Sequence, residues 1–281
     1  MNIPDKNLLD KAASLIGRCR RVTVLSHQHP DGDAVGSLLG VALLMRKAGK
    51  KVEASWPQPF EYPDKYRFLP GRELLVEPDK VTGGDLVLVL DSANLDRLEE
   101  LSCIATGGRG LINIDHHPDN SGFGNVNLVD PTASATGELI YRYAPDLGLQ
   151  IDREVALCLY TGIVTDTGRF QFLNTSERTF TVAAELIHLG GRPSEVYEHV
   201  YQSDTLPYMR LTGEMLANAC FDPDLMLVYG FLSQKDLERH GVRMVETEDL
   251  IDSLRVLCGH RVAALFKELK DGRVRVSLRS K

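Results

Sequence analysis

Short runs of aliphatic, β-branched residues recur through the first half of the chain, and each is followed at once by polar residues able to do chemistry. They are VTVLS at Val22 to Ser26, DLVLVLD at Asp85 to Asp91, and LINID at Leu111 to Asp115. An apolar run of about five residues suits a strand covered on both faces, and helical patterns between such runs require parallel pairing. The spacing predicts an α/β fold with an N-terminal parallel sheet and flanking helices. Helices are expected from about Asp33 to Lys47, Ser134 to Tyr143, Asp152 to Thr165, and Ser176 to Leu189. Ser176 starts the last of these, and Gly190, Gly191 and Pro193 stop it. That punctuation places a domain boundary, giving domains 1–190 and 191–281. The second reads as a smaller α/β domain, with helices around Ser194 to Gln202 and Leu206 to Asn218, a strand LMLVYGF, and a helix near Asp249 to Leu257. It closes on a hairpin, RVAALFKEL and RVRVSLRS, turned at Lys270-Asp271-Gly272.

Composition narrows the partners. The chain has 281 residues, 43% hydrophobic and 25% charged, which excludes disorder. Its 32 basic and 39 acidic residues leave a net charge of -7, so nothing advertises a long duplex nucleic acid. A metal site or a local Arg cluster can still hold phosphates on an acidic protein. The longest strongly apolar stretch, Ser37 to Met45, is about half a membrane span and is closed by Arg46 and Lys47. The start, MNIPDKNLLDKAASL, carries acids where a signal peptide needs positive charge, so the expected location is cytoplasmic, with no membrane partner. Cys19, Cys103, Cys158, Cys220 and Cys258 are odd in number and form no CxxC pair. Neither a disulfide framework nor a thiolate zinc site is expected, and the five read as small buried hydrophobes.

The chemistry concentrates where strands end. In SHQHPDGDAVGS, His27, Asp31 and Asp33 fall between the first strand and the next helix. An EF-hand fails here, because Ala42 stands where a bidentate Glu is needed. A helix start capped by Asp explains Asp31, but it does not need His27 as well. The second strand runs into Asp91 and the third into Asp115-His116-His117, while Asp166 opens the loop TDTGRF. Parallel strands put these groups along one edge of a sheet, where ligands bind in open α/β folds. His27, Asp31, Asp33, Asp91, His116 and Asp166 make four carboxylates and two imidazoles, more than one ion needs. Two divalent ions sharing a carboxylate fit the count. The shell lacks thiolate, which favours Mn²⁺, with Mg²⁺ or Co²⁺ as alternatives. Two ions about 3.5–4 Å apart are the means of phosphoester hydrolysis.

With HQHPDGDAVGS, the strand-end Asp91, the triplet Asp115-His116-His117 and GIVTDTGRF in place, the chain resembles the DHH phosphoesterases over nearly its whole length. Within them it looks like the bacterial nanoRNase and pAp phosphatase group, which pairs a DHH domain with a DHH-associated substrate domain. DPTASATGELIY and VRVSLRS support that likeness. The resemblance implies one Mn²⁺ on His27, Asp31 and Asp91, a second on Asp33, Asp91, His116 and Asp166, and His117 facing the scissile phosphate. Asp115 is then expected to orient His116, and Ser277 and Arg279 to touch the substrate's terminal phosphate. The implied substrates are short RNA oligonucleotides and 3′-phosphoadenosine 5′-phosphate (pAp); a homodimer stays open. The family's glycine-rich GGGH segment has no counterpart before Lys281, which leaves either a fragment or a variant with altered substrate handling.

Other readings compete. Cyclic or linear dinucleotides are the alternative substrates, inorganic pyrophosphate is a weaker one, and a non-catalytic nucleotide-binding module is the alternative class. A full set of metal ligands argues against pure binding. A processive exonuclease would add a basic groove with stacking aromatics. The chain offers one Trp, Trp56, in a Pro-flanked loop, and no basic tract. His188, His199, His240 and His260 match no motif and read as structural, and His29 is left without a role.

Overall fold

The computed structural model describes residues 5–247 and 249–280. The first four residues, and Lys281 as the chain's end, lie outside the described residues. Two compact units divide the chain, Met1–Tyr201 and Gln202–Lys281.

The first unit runs α1 (Lys6–Arg18), β1 (Arg21–Leu25), α2 (Gly32–Lys47), β2 (Lys51–Ser55), β3 (Leu86–Leu90), α3 (Ser102–Gly107), β4 (Leu111–Asp115), β5 (Val126–Val129), α4 (Thr136–Tyr143), α5 (Arg153–Asp166), α6 (Glu177–Leu189) and α7 (Pro193–Tyr201). Its strands form one sheet in the order β2-β1-β3-β4-β5, every pair parallel. The three expected strands are the central ones, with β3 and β4 buried at every position. The edges β2 (KVEAS) and β5 (VNLV) escape the apolar pattern, because an edge strand keeps polar residues on its half-exposed positions.

Helix α2 is buried from Gly32 to Met45, which is why its sequence is apolar all round rather than on one stripe. It lies against α5 so closely that a Cβ on Gly36 would overlap the carbonyl oxygen of Cys158. This contact fixes the helix that carries Asp33 against the helix that ends in Asp166.

The units do not part at Gly190. Helix α7 belongs to the first unit, because Val196 and Val200 are buried in its core. The Gly-Gly-Pro punctuation ends α6, as expected, but the chain turns back onto the same core before leaving it.

The second unit contains α8 (Leu206–Ala217), β6 (Cys220–Asp222), β7 (Leu227–Leu232), α9 (Gln234–His240), α10 (Leu250–Leu254), β8 (Val262–Glu268) and β9 (Val274–Ser280). The sheet order is β6-β7-β8-β9, with β7 and β8 parallel and the expected β8–β9 hairpin antiparallel. Gly272 supplies the positive φ of 80° that the turn requires. Leu211, Met215 and Leu254 of the helices pack with Val228, Ala263 and Leu265 of the sheet as a core of its own.

The cysteine expectation holds only in part. All five are free, but Cys103, Cys220 and Cys258 are exposed and only Cys19 and Cys158 are buried. Cys103 opens a short helix, Cys220 lies on an edge strand and Cys258 follows the last turn of α10, so an apolar neighbour in sequence did not carry these three inside. Among the described residues, no helix is long and apolar enough to cross a membrane.

The glycine packing gives a paired test. Gly36→Ala should destabilise by about 1–3 kcal/mol through overpacking. Gly17→Ala, at an exposed position of α1 with nothing within 4 Å, should be neutral or stabilising by up to about 1 kcal/mol. Urea midpoints of the two variants decide it, and equal midpoints would refute the close approach.

Candidate metal centre

The chain leaves β1 for the edge strand β2 and then crosses back to β3, so the order reverses between β1 and β3. Open α/β sheets bind ligands in the crevice beyond the carboxyl ends at such a switch point. His27 lies just past β1, Asp91 follows β3 directly, and Asp115 is the last residue of β4.

Asp91 is the centre. It is 2% exposed and has φ of 54°, a left-handed conformation that Asp tolerates better than most residues. One carboxylate oxygen lies 3.5 Å from Nε2 of His27. The other lies 3.5 Å from Nε2 of His116 and 3.7 Å from Nδ1 of His117. Asp166 Oδ2 lies 3.6 Å from the same His116 nitrogen. These separations are too long for good N–H···O hydrogen bonds. They match donors that each sit about 2.1 Å from a shared ion, which leaves them about 3–4 Å from one another.

Two sets of donor atoms each fall within 4.8 Å of one another: His27 with Asp31 and Asp91, and Asp91 with His116 and His117. Asp91 belongs to both. His27 is oriented by its Nδ1, 2.8 Å from the carbonyl of Gln28, which leaves Nε2 toward Asp91. Asp31 acts twice: one oxygen caps α2, accepting from the amides of Asp33 and Ala34 at 3.1 and 3.0 Å, and the residue also joins the first donor set.

Asp33 is 1% exposed and stands outside both sets. Its carboxylate accepts from the amides of Thr136 and Gly137 at 2.6 and 3.0 Å, where α4 begins, and from Ser37 Oγ at 3.0 Å. A carboxylate offers about four lone-pair directions, so capacity for a ligand bond remains. A Cβ on Gly162 would lie 2.5 Å from Asp33, so that glycine leaves the carboxylate its space.

Asp115 does not orient His116. Its Oδ1 lies 2.7 Å from Nδ1 of His117, and its Oδ2 accepts from Asn120 Nδ2 at 2.6 Å. Strand β4 ends at Asp115, and in the turn that follows it is the second histidine of the triplet whose Nδ1 reaches this carboxylate. Asn120 also donates to Oδ1 of fully buried Asn113, whose amide donates to the carbonyls of Val89 and Ser92. Asn113 inside the apolar run LINID was the available signal for this network, since a buried amide needs several partners.

Three further residues escaped the sequence reading. Thr136 donates its hydroxyl to Asp91 Oδ1 at 3.1 Å. Asn174 ties the loop after α5 to the carbonyls of Asp166 and Ser134 at 3.1 and 2.9 Å. Arg97 is exposed, and its carbonyl accepts from the amide of Gln28 at 3.1 Å, which sets it beside the His27 loop. Ser277 and Arg279 lie on β9 in the second unit, opposite Leu265 and Ala263; Ser277 is half-buried and Arg279 exposed. The four histidines read as structural stay outside both donor sets: His199 stacks on Phe68 and His240 pairs with Glu214.

The electrostatics follow from crowding. Burial and the neighbouring Asp91 push Asp33 up to about 7. Burial, then Asp33, Asp31 and Asp91, raise Asp166 well above the usual carboxylate range. Asp91 moves the other way: burial would raise it, but His27, His116 and His117 outweigh that and hold it low. Burial would lower His27 and His116, yet the carboxylates around them leave both above the ordinary imidazole value. The bond to Asp115 raises His117. Four carboxylates and two or three imidazoles in one crevice, with no thiolate, fit hard or borderline divalent ions.

Residues 21–163 match the family model described as "DHH family, N-terminal domain". The chain is 34% identical over 262 residues to the bifunctional oligoribonuclease and PAP phosphatase NrnA of Thermus thermophilus, across 92% of this chain and 76% of that protein. It is 32% identical over 273 residues to the protein of the same name in Bacillus subtilis, across 92% and 82%. The crystal structure of an exopolyphosphatase-related protein from Bacteroides fragilis superposes with a TM-score of 0.90 at 25% identity, covering 100% of this chain and 85% of that one. The chain belongs to the DHH family of phosphoesterases, and is a hydrolase.

The raised carboxyl of Asp33 has a consequence for the metal-free chain. Between the unfolded value near 3.9 and the folded value of about 7, the folded state keeps a proton that the unfolded state releases. Stability should therefore fall as pH rises through that window. Urea midpoints in chelator at pH 4.5 and 7 should drop more steeply for the unmodified chain than for Asp33→Asn; parallel slopes would contradict the assignment.

Proposed function

We propose that this chain is a manganese-dependent phosphoesterase that degrades very short oligoribonucleotides to nucleoside monophosphates and dephosphorylates pAp. The observation that carries the metal reading is that Asp91 belongs to both donor sets. The names of the Thermus thermophilus and Bacillus subtilis relatives support the substrate reading. In this reading His27, Asp31 and Asp91 hold one ion, Asp33, Asp91, His116 and Asp166 the other, and Asp91 bridges. Two bound Mn²⁺ ions would clamp the attacking and leaving oxygens and make hydroxide available near neutral pH.

The chain's own residues do the rest. His117, partly exposed and held at Nδ1 by Asp115, presents its other nitrogen to the scissile phosphate, where it protonates the leaving oxygen or stabilises charge. Asp115 fixes the ring and its tautomer, and Asn120 fixes Asp115. In the second unit, a DHH-associated domain, Ser277 and Arg279 grip the phosphate that is not cleaved. Short substrates suit the chain better than long ones. Trp56 is fully buried against Phe60 and Tyr62, so it offers no stacking platform along a strand. A cytoplasmic setting accords with five unpaired thiols.

Hydrolysis of a 5′-labelled RNA dimer, pAp and pyrophosphate, side by side with Mn²⁺, Mg²⁺ and no metal, tests the reading. Turnover of the first two with Mn²⁺ is expected; turnover of pyrophosphate alone would overturn the substrate assignment. His117→Ala should fold, keep its ions and lose about 10²–10⁴ in rate; loss of metal in that variant would make His117 a ligand instead. Asp91→Ala should lose both ions together, as read by metal analysis. Arg279→Lys should weaken pAp and RNA dimers while leaving a small aryl phosphodiester almost unaffected, because an ammonium cannot replace the planar fork. Equal loss on both substrate classes would assign the terminal strand a folding role.

A further inference from the structure

Two of the buried carboxylates of the crevice, Asp33 and Asp91, share one partner. Thr136, fully buried at the first position of α4, donates its amide to Asp33 Oδ2 at 2.6 Å and its hydroxyl to Asp91 Oδ1 at 3.1 Å. We infer that Thr136 is the positioning residue that sets the rotation of the Asp91 carboxylate, and so decides how its two oxygens divide between the two donor sets. The inference rests on the metal reading given above and goes one step further into it.

The geometry carries the role. Asp91 points one oxygen at His27 and the other at His116 and His117. A carboxylate that serves two ions must be held against rotation about its own axis, and His27 and the histidine pair fix only where the charge should go. The Thr136 hydroxyl reaches the oxygen on the His116 side and fills one of its lone pairs, leaving the other oxygen to His27. Such outer partners of metal-binding groups typically change affinity by about 10–100-fold when removed.

Thr136 is itself held. Its amide is committed to Asp33, and Glu138, two residues on, accepts from both the amide and the hydroxyl of Ser134 at 3.1 and 2.7 Å. Glu138 is fully buried and pairs with Arg178 at 2.6 Å. The segment from Ser134 to Glu138 is therefore closed on itself on both sides of Thr136. The hydrogen bond to the Asp33 carboxylate uses only the backbone N–H of Thr136, so a side-chain change at Thr136 leaves it in place and isolates the hydroxyl.

Calorimetric titration with Mn²⁺ of the unmodified chain, Thr136→Val and Thr136→Ser, alongside thermal unfolding of each in chelator, tests this. Thr136→Val should weaken Mn²⁺ binding by at least about tenfold at one or both sites, and Thr136→Ser should restore it. The metal-free unfolding temperature of the serine variant should stay close to that of the unmodified chain. If the valine protein does not fold, Thr136→Ala carries the same comparison. Equal Mn²⁺ binding by all folded variants would overturn the role of Thr136 alone. No Mn²⁺ uptake by the unmodified chain would overturn the metal reading beneath it, and the role with it.

Discussion

The fold is organised around the cost of burying carboxylates. Asp33 and Asp91 are 1% and 2% exposed, and an uncompensated charge in such a place would be expelled or neutralised. The protein answers differently at each. Asp33 receives two amides from the start of α4 and a hydroxyl from α2, and burial still leaves it reluctant to ionise. Asp91 receives imidazoles from two loops and stays charged. One acid is held by neutral donors and the other by imidazoles, so the same crevice answers the cost of burial in two ways.

That demand reaches into the packing. Helix α4 must begin where its amides meet Asp33, so Gly137 and Gly162 stay small beside the carboxylate. The loop before α4 must hold its course, and it does so through buried Glu138 and Asp130, which share the arginines at 142 and 178. Removing one partner of such a buried pair costs far more than an exposed pair is worth, because the other charge is left alone. The ionic layer behind the crevice is thus a support for its geometry.

Much of this is legible in the sequence. Continuous apolar runs gave the central strands, and the polar residue ending each run marked the crevice, because parallel strands share one carboxyl edge. The edge strands were not legible, since half-exposed positions break the apolar run. The break between compact units, at Tyr201 and Gln202, lies past Gly190 and Gly191, because those glycines report only that a helix stops; whether the next helix packs back depends on Val196 and Val200, which could serve either unit. The partner of Asp115 is His117 rather than His116, a choice made by the turn after β4, which residue order alone does not specify.

Asp31 shows why structural and chemical readings of one residue need not compete. A helix cap uses one carboxylate oxygen, and that oxygen is spent on the amides of Asp33 and Ala34. The carboxylate keeps its remaining lone pairs, and the cap itself fixes where they point. The helix start therefore supplies the rigidity that a ligand requires, and the same bonds that begin α2 carry Asp33 into the crevice two residues later. A cap that only began a helix could be exchanged for Ser or Asn with little loss. One that also faces a cation cannot, because neither Ser nor Asn brings the negative charge, and that difference separates the two roles at a single position.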